Sequence, residues 1–177
     1  MSEPEAQTYF RELLTEAIRI RMRSDVPLGS CLSGGLDSSA IVCIAQEILG
    51  LDKTYDVFTG RFPNTNSDEW HWAKQVIDHT SVTSHTVNPR VENFQSELSE
   101  FIWHNELPVG STSQYAQWSV FRLAKDVGIT VLLDGQGGDE LLGGYSRTFL
   151  TLRPKNFLKV LISNFYHLYP GFLGTGS

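Results

Sequence analysis

The chain has 177 residues, of which 41% are hydrophobic and 19% charged, with 14 basic residues against 20 acidic ones and a net charge of −6. That composition describes a folded chain long enough for one buried core and excludes a disordered one. It also argues against a nucleic-acid surface, which needs clustered Lys and Arg. No apolar run reaches the ~18 residues of a membrane span.

In chain order, residues 5–23 predict a helix, with Tyr9, Phe10, Leu13, Ala17 and Ile20 recurring at three- and four-residue steps. Arg19, Arg21 and Arg23 spread around that helix and do not form one basic face. Pro27 ends it and opens an extended segment, 26–32. The loop SGGLDSS follows, then a helix over 39–49 with Gly50 as its C-cap. Residues 54–60 predict a second strand. Residues 68–79 predict a helix with Asp68 and Glu69 at its positive end. A short strand is expected at 84–87 and a helix at 91–104. After a polar connection at 105–113 come a helix at 114–126 and an apolar strand at 130–133. A last helix is expected around 156–169. Strands alternating with helices predict an α/β fold, a mostly parallel sheet with helices on both faces. Ligands in such folds bind beyond the carboxyl ends of the strands, where both glycine-rich loops of this sequence fall.

The first loop, 30-SCLSGGLDSSA-40, opens a helix after a strand. Gly34 and Gly35 let the backbone approach an anion. Ser33, Ser38 and Ser39 carry hydroxyl donors, and the free N–H groups of the helix start complete a cradle. Asp37 would repel a phosphate there unless a cation lies between them, and Mg2+ suits carboxylate and phosphate oxygens together. Plainer readings remain open: Asp37 or Ser38 as a helix cap, or the whole string as an ordinary turn. No Gly-Lys pair exists in the chain, so this is not an NTPase loop of the G-x-x-x-x-G-K type, and 135-GQGGDE-140 breaks the dinucleotide fingerprint with an acid.

The second loop, 133-LDGQGGDELLGGY-145, brings five glycines and the carboxylates of Asp134, Asp139 and Glu140 after an apolar strand. Such a run loses much conformational entropy on folding unless backbone packs against a ligand. If both loops lie at one sheet edge, Asp37 and Asp139 could share Mg2+ and bridge a polyphosphate. The loops alone leave hydrolysis, kinase transfer and adenylation equally open.

At 24-SDVPLGSCLSGGLDSS-39 and 132-LLDGQGGDELLGGY-145, with 111–135 as the lead-in, the sequence resembles the synthetase domain of the asparagine synthase family over residues 9–150. SGGLDSS by itself points to the wider ATP-pyrophosphatase group, and the second motif narrows it. The resemblance implies an adenine nucleotide alpha hydrolase-like (PP-loop) fold and ATP cleavage between the α and β phosphates. A substrate carboxylate, aspartate in the favoured case, would attack the α-phosphorus to give an acyl-adenylate. Ammonia or an amine would then displace AMP. In this sequence Ser33, Gly34, Gly35, Asp37, Ser38 and Ser39 would cradle the pyrophosphate portion. Asp37 and Asp139 would hold Mg2+. Thr59, Gly60, Asp134 and Gly135 would pack near the nucleoside and α-phosphate. Gln136 and Asp139 are the residues assigned to chemistry. A synthetase domain over 5–150 and a partial helical extension over 151–177 are expected.

Three departures from the family pattern stand out. Gln136 replaces the glutamate assigned to the aspartate and ammonia site, keeping hydrogen bonding but losing charge. No glutaminase half is expected within this sequence: Ser2, not a cysteine, follows Met1, and the first cysteine is Cys31. A separate glutaminase or C-terminal synthetase subunit is the expected partner. Finally, the family's downstream lysine has no match, since Lys155 and Lys159 lie too close to the second motif. Two other readings therefore accompany asparagine synthesis: a β-lactam-forming or peptide-cyclising relative with another carboxylate, and a catalytically incomplete nucleotide-binding subunit.

Among other polar residues, Glu106 is read as a loop residue near a helix cap or, alternatively, part of an acceptor pocket. Arg122 is read as a salt-bridge partner or a phosphate counter-charge, and Tyr145 as loop packing. The five histidines lack metal-ligand spacing, and the tryptophans are assigned to core or interface packing. Cys31 and Cys43 are expected as reduced core thiols. The acidic N-terminus lacks signal-peptide features, and the cytoplasm is the expected location.

Overall fold

The computed structural model describes residues 1–50 and 54–145. The helix expected at 156–169, with Lys155 and Lys159, lies outside the described residues. The chain divides into two compact units, Met1–Gly135 and Gln136–Ser177, each described by itself below.

In the first unit the order is α1 (Glu3–Arg21), β1 (Leu28–Cys31), α2 (Leu36–Leu49), β2 (Asp56–Gly60), α3 (Trp70–Thr80), β3 (Thr83–Val87), α4 (Val91–Asn105), α5 (Thr112–Val127) and β4 (Val131–Leu133). The four strands form one parallel sheet in the order β3-β2-β1-β4. Parallel neighbours need crossover connections, and α2, α3 and the α4–α5 pair supply them. The expected α/β architecture with helices on both faces is therefore realised.

Adjacent residues on a strand point to opposite faces. Val57 joins a core made with α1, α2 and α3 through Ile18, Val42, Ala45 and Ala73. Its neighbour Phe58 joins a second core with Val120 and Ala124 of α5 and Ile129 before β4. A third cluster, Phe101, Tyr115 and Trp118, packs α4 onto α5 through ring contacts of Phe101 with Tyr115 at 5.6 Å and with Trp118 at 5.7 Å.

Several boundaries differ from expectation. α2 begins three residues early, at Leu36, so Asp37, Ser38 and Ser39 lie in its first turn and not in a loop. The residue that hid this start is Leu36 itself, an apolar side chain that is 90% exposed. α3 begins at Trp70, later than expected, because Asp68 is taken by an ion pair with Arg61. On α1 the core-facing residues are Leu14, Ile18 and Met22, while Tyr9, Phe10, Leu13 and Ile20 are about half exposed. The apolar positions are spaced for a helix on both faces, and packing on α2 and the core beside it covers only one of them. Of the tryptophans, Trp118 is buried and Trp72 and Trp103 are exposed.

The second unit, as far as it is described, holds α6 (Gly138–Leu142). This short helix sits inside the stretch expected as a loop. Gly137 (φ 94°) precedes it and Gly143 (φ 74°) follows it, both left-handed.

Candidate active site

β1 delivers the chain to the fully buried Leu32, and the backbone turns at Ser33, Gly34 and Gly35 into α2. Gly34 has φ +96°, a conformation costly for any side chain. A Cβ there would also stand 2.8 Å from the Glu69 carbonyl oxygen and 3.0 Å from the Ala73 nitrogen. The start of α3 thus backs directly onto the loop.

The serines shape this turn. The Ser33 and Ser38 hydroxyls share a hydrogen bond of 3.0 Å. Ser38 Oγ accepts from the Ser33 N–H at 3.3 Å and lies 3.2 Å from the Gly35 carbonyl, which it can donate to. Ser33 Oγ accepts from the Gly35 N–H at 3.2 Å. Gly35 is the N-cap residue, and no side chain caps α2. The capping alternative for Asp37 is therefore set aside, since Asp37 lies two residues inside the helix. The first intrahelical bond runs from the Ser39 N–H to the Gly35 carbonyl at 3.0 Å. Leu36, Asp37 and Ser38 precede it, so the helix leaves their N–H groups free. No donor among the described residues hydrogen-bonds the Asp37 carboxylate.

β2 fixes the loop from one side. The buried Thr59 hydroxyl donates to the Leu32 carbonyl at 2.7 Å, and the Leu32 N–H donates to the Phe58 carbonyl at 2.9 Å. Gly60 follows at the strand's carboxyl end. β4 closes the other side. A Cβ on Gly135 would stand 3.1 Å from Asp37 Cβ and 3.2 Å from the Ser38 nitrogen. Asp134 accepts from Gln117 of α5 at 3.4 Å. Burial first, then the nearby Asp134 carboxylate, push Cys31 up to about 12. Cys31 and Cys43 are both free thiols, as expected, but each is only partly buried and neither is among the buried core residues.

Ser33, Gly34, Gly35, Asp37, Ser38, Ser39, Thr59, Gly60, Asp134 and Gly135 thus gather around three strand ends. Gln136 and Asp139 belong to the second unit. There Gln136 is exposed. Asp139 lies in the first turn of α6, its carboxylate folded over Gly144 so that a Cβ on that glycine would strike it. No cluster of three or more metal-ligating side chains exists among the described residues.

One pair near the site was not legible in the sequence. Arg61, just after Gly60, makes a forked ion pair with Asp68 at 2.8–3.2 Å and stacks over Trp70 at 4.4 Å. Arg122 pairs with Glu97 at 2.8 Å and stacks over Trp118 at 4.5 Å, which realises its salt-bridge reading. Tyr115 donates to the same Glu97 carboxylate. Burial works to raise Glu97, but the bonds from Tyr115 and Arg122 outweigh it and hold the carboxyl below its usual range. Glu106 caps the C-terminus of α4 with φ 58°, in line with its cap reading.

A parallel α/β sheet with a glycine–serine loop opening a helix at its carboxyl edge defines a nucleotide- or phosphate-binding class of protein. The asparagine synthase profile matches residues 9–171, and the chain belongs to the asparagine synthase family. It is 37% identical over 138 residues to an asparagine synthetase-like protein of Methanocaldococcus jannaschii, covering 76% of this chain and 26% of that one. It is 36% identical over 148 residues to the glutamine-hydrolyzing asparagine synthetase 1 of Bacillus subtilis, covering 81% of this chain and 22% of that one. It is 29% identical over 156 residues to the amidase chry2 of Gibberella zeae, covering 81% of this chain and 23% of that one. The chain spans about a quarter of the length of these curated relatives. No helix among the described residues is long and apolar enough to cross a membrane.

Proposed function

We propose that this chain supplies the ATP-binding part of an AMP-forming amide-bond synthetase that activates a carboxylate, aspartate first among candidates. The observation that carries the reading is the cradle at α2. Three helix N–H groups left free by the helix stand beside a carboxylate with no donor among the described residues, and Gly135 closes over them. That donor set suits a pyrophosphate with its cation. N–H groups at a helix start take phosphate oxygens, and one carboxylate plus phosphates is a usual Mg2+ environment.

Asp37, and Asp139 from the second motif, are the proposed Mg2+ ligands, and the ion would supply charge neutralisation on the departing pyrophosphate. The substrate carboxylate oxygen bonds to the α-phosphorus as the bond to the β-phosphate oxygen breaks. Ammonia or an amine then attacks the acyl carbon, AMP departs, and the nitrogen loses a proton. The N–H groups of Leu36, Asp37 and Ser38 act on the charge that builds on pyrophosphate. Ser33, Gly34, Gly35 and Ser39 shape that cradle. Thr59, Gly60, Asp134 and Gly135 form the wall for the nucleoside and α-phosphate. Gln136 would meet the acceptor carboxylate. The synthetase domain is proposed over 5–150, with 151–177 as an extension. A separate glutaminase or C-terminal synthetase subunit would complete the enzyme, in the cytoplasm.

A second reading, with a different carboxylate, is favoured by Gln136, which brings no charge to the acceptor, and by the amidase name of one relative. One assay separates the readings. The chain is incubated with ATP, Mg2+, ammonia and a panel of carboxylates, and AMP and pyrophosphate are measured. AMP with asparagine supports the first reading, and AMP only with another carboxylate supports the second. ADP as product would refute α/β cleavage. ATP binding without turnover assigns the chain a nucleotide-binding role that another subunit must complete.

A further inference from the structure

Arg61 leaves the carboxyl end of β2 and is anchored there, its N–H donating to the Val87 carbonyl of β3 at 2.7 Å. The next residues form a loop, exposed from Pro63 to Ser67, with Asn64 at φ 65°. The loop is closed at its base by side chains. Arg61 Nε donates to Asp68 Oδ1 at 3.0 Å, and Nη2 donates to Oδ2 at 2.8 Å. The Phe62 N–H adds a further bond to Oδ1 at 3.3 Å. The two side chains are only 24% and 13% exposed, and the guanidinium lies 4.4 Å over the Trp70 ring. A forked, partly buried, stacked pair holds a fixed geometry that a single-point surface pair does not.

The residue after Asp68 is what gives this clasp its reach. Glu69 is the N-cap of α3, and its carbonyl accepts from the Trp72 N–H at 2.9 Å and the Ala73 N–H at 3.3 Å. The same carbonyl and the Ala73 nitrogen are the atoms that a Cβ on Gly34 would meet first. One peptide unit therefore separates the clasp from the surface against which the Ser33–Gly35 turn is formed.

We infer that Arg61 and Asp68 are positioning residues, whose ion pair holds the start of α3 against Gly34 and so sets the shape of the phosphate-receiving loop. The inference rests on the nucleotide reading above for its consequence, but not for its mechanics. Substrate phosphates do not need to touch either residue. Displacement of the Glu69 carbonyl would move Gly34, and with it the N–H groups behind it.

The test uses the full 177-residue chain, as wild type and as Arg61→Gln, Arg61→Lys and Asp68→Asn. Three quantities are read: calorimetric affinity for Mg2+–ATP, the amide resonances of Gly34 and Gly35 without nucleotide, and the melting temperature. Arg61→Gln is expected to weaken binding on the order of tenfold, the usual scale of coupling between residues in one network. It should also move both glycine resonances. Arg61→Lys, with charge but no fork, should recover only part of the affinity. Unmoved glycine resonances overturn the inference, even if the melting temperature falls, because the pair would then stabilise its own loop and nothing more. Wild-type affinity in all three variants also overturns it. If the wild type binds no ATP, the nucleotide reading fails, and the Gly34 and Gly35 resonances alone decide the clasp. Should Arg61→Gln fail to fold, Asp68→Asn, of equal size, supplies the same readings.

Discussion

Gly135 lies so close to Asp37 that a Cβ on the glycine would stand 3.1 Å from Asp37 Cβ. The end of β4 is thus seated on the first turn of α2, and the second motif begins against the buried side of the first. A methyl group at Gly135 must push the helix start away. Gly135→Ala is expected to cost about 1–2 kcal/mol, the range for overpacking, and to weaken Mg2+–ATP binding by more than that loss of stability explains. Urea unfolding and calorimetry on the same sample check both parts.

Gly34 carries two constraints at once, its φ of +96° and the Glu69 carbonyl 2.8 Å from where a Cβ would be. Gly34→Ala is expected to cost about 2–4 kcal/mol, adding left-handed strain to overpacking. A larger shift in the urea midpoint than for Gly135→Ala is the expected result.

Thr59 bonds the Leu32 carbonyl at 2.7 Å in a buried setting. Thr59→Val keeps the shape and removes the donor, with an expected loss of about 1–2 kcal/mol. Thr59→Ser keeps the hydroxyl and should lose clearly less, which a thermal melt of both variants will show.

The Asp37 carboxylate opposes phosphate alone and favours phosphate with a cation. Asp37→Asn is expected to leave metal-free ATP affinity unchanged or raised. Its Mg2+-dependent affinity should fall about tenfold or more, the scale on which even outer-sphere changes weaken a metal site. Calorimetry with and without Mg2+ reads the difference directly, and equal Mg2+ dependence in both proteins would refute the metal role.

Tyr55 and Tyr115 are both pushed up to about 12, chiefly by burial, with Glu97 adding to the rise at Tyr115. Their folded values lie above the ordinary 10.0, so the unfolded chain releases these protons first. The stability they contribute is whole below pH 10 and is lost as pH rises toward 12. The urea midpoint should fall over that window, and fall less steeply in Tyr55→Phe and Tyr115→Phe.

Much of this molecule was legible in the sequence because local pattern and global fold agree. The strand–loop–helix at Ser33 to Ser39 announced itself through glycine, hydroxyls and an apolar helix. The parallel sheet followed from strands alternating with helices. What stayed hidden depended on partners distant in sequence or on residues acting against type. Leu36 starts a helix while almost fully exposed, so its side chain gave no sign of the boundary. The five-residue α6 lies within a glycine run that reads as loop. Arg61 and Asp68 find each other across a Pro- and Asn-rich loop with no periodicity to connect them. The α1 stripe was misplaced because that helix has apolar residues on two faces and only Leu14, Ile18 and Met22 meet the core.

The central place of β1 in the sheet has a consequence for the order of folding. Its pairing with β2 joins segments close in sequence, whereas its pairing with β4 aligns Ser30 with Leu133, roughly a hundred residues away. Closing so long a loop has a high entropic cost and favours late formation. The turn at Ser33 can form early, but its far wall arrives only with that last strand. A nascent or partly unfolded chain is therefore expected to hold nucleotide poorly, and nucleotide added during refolding should act on the final closure more than on the initial collapse.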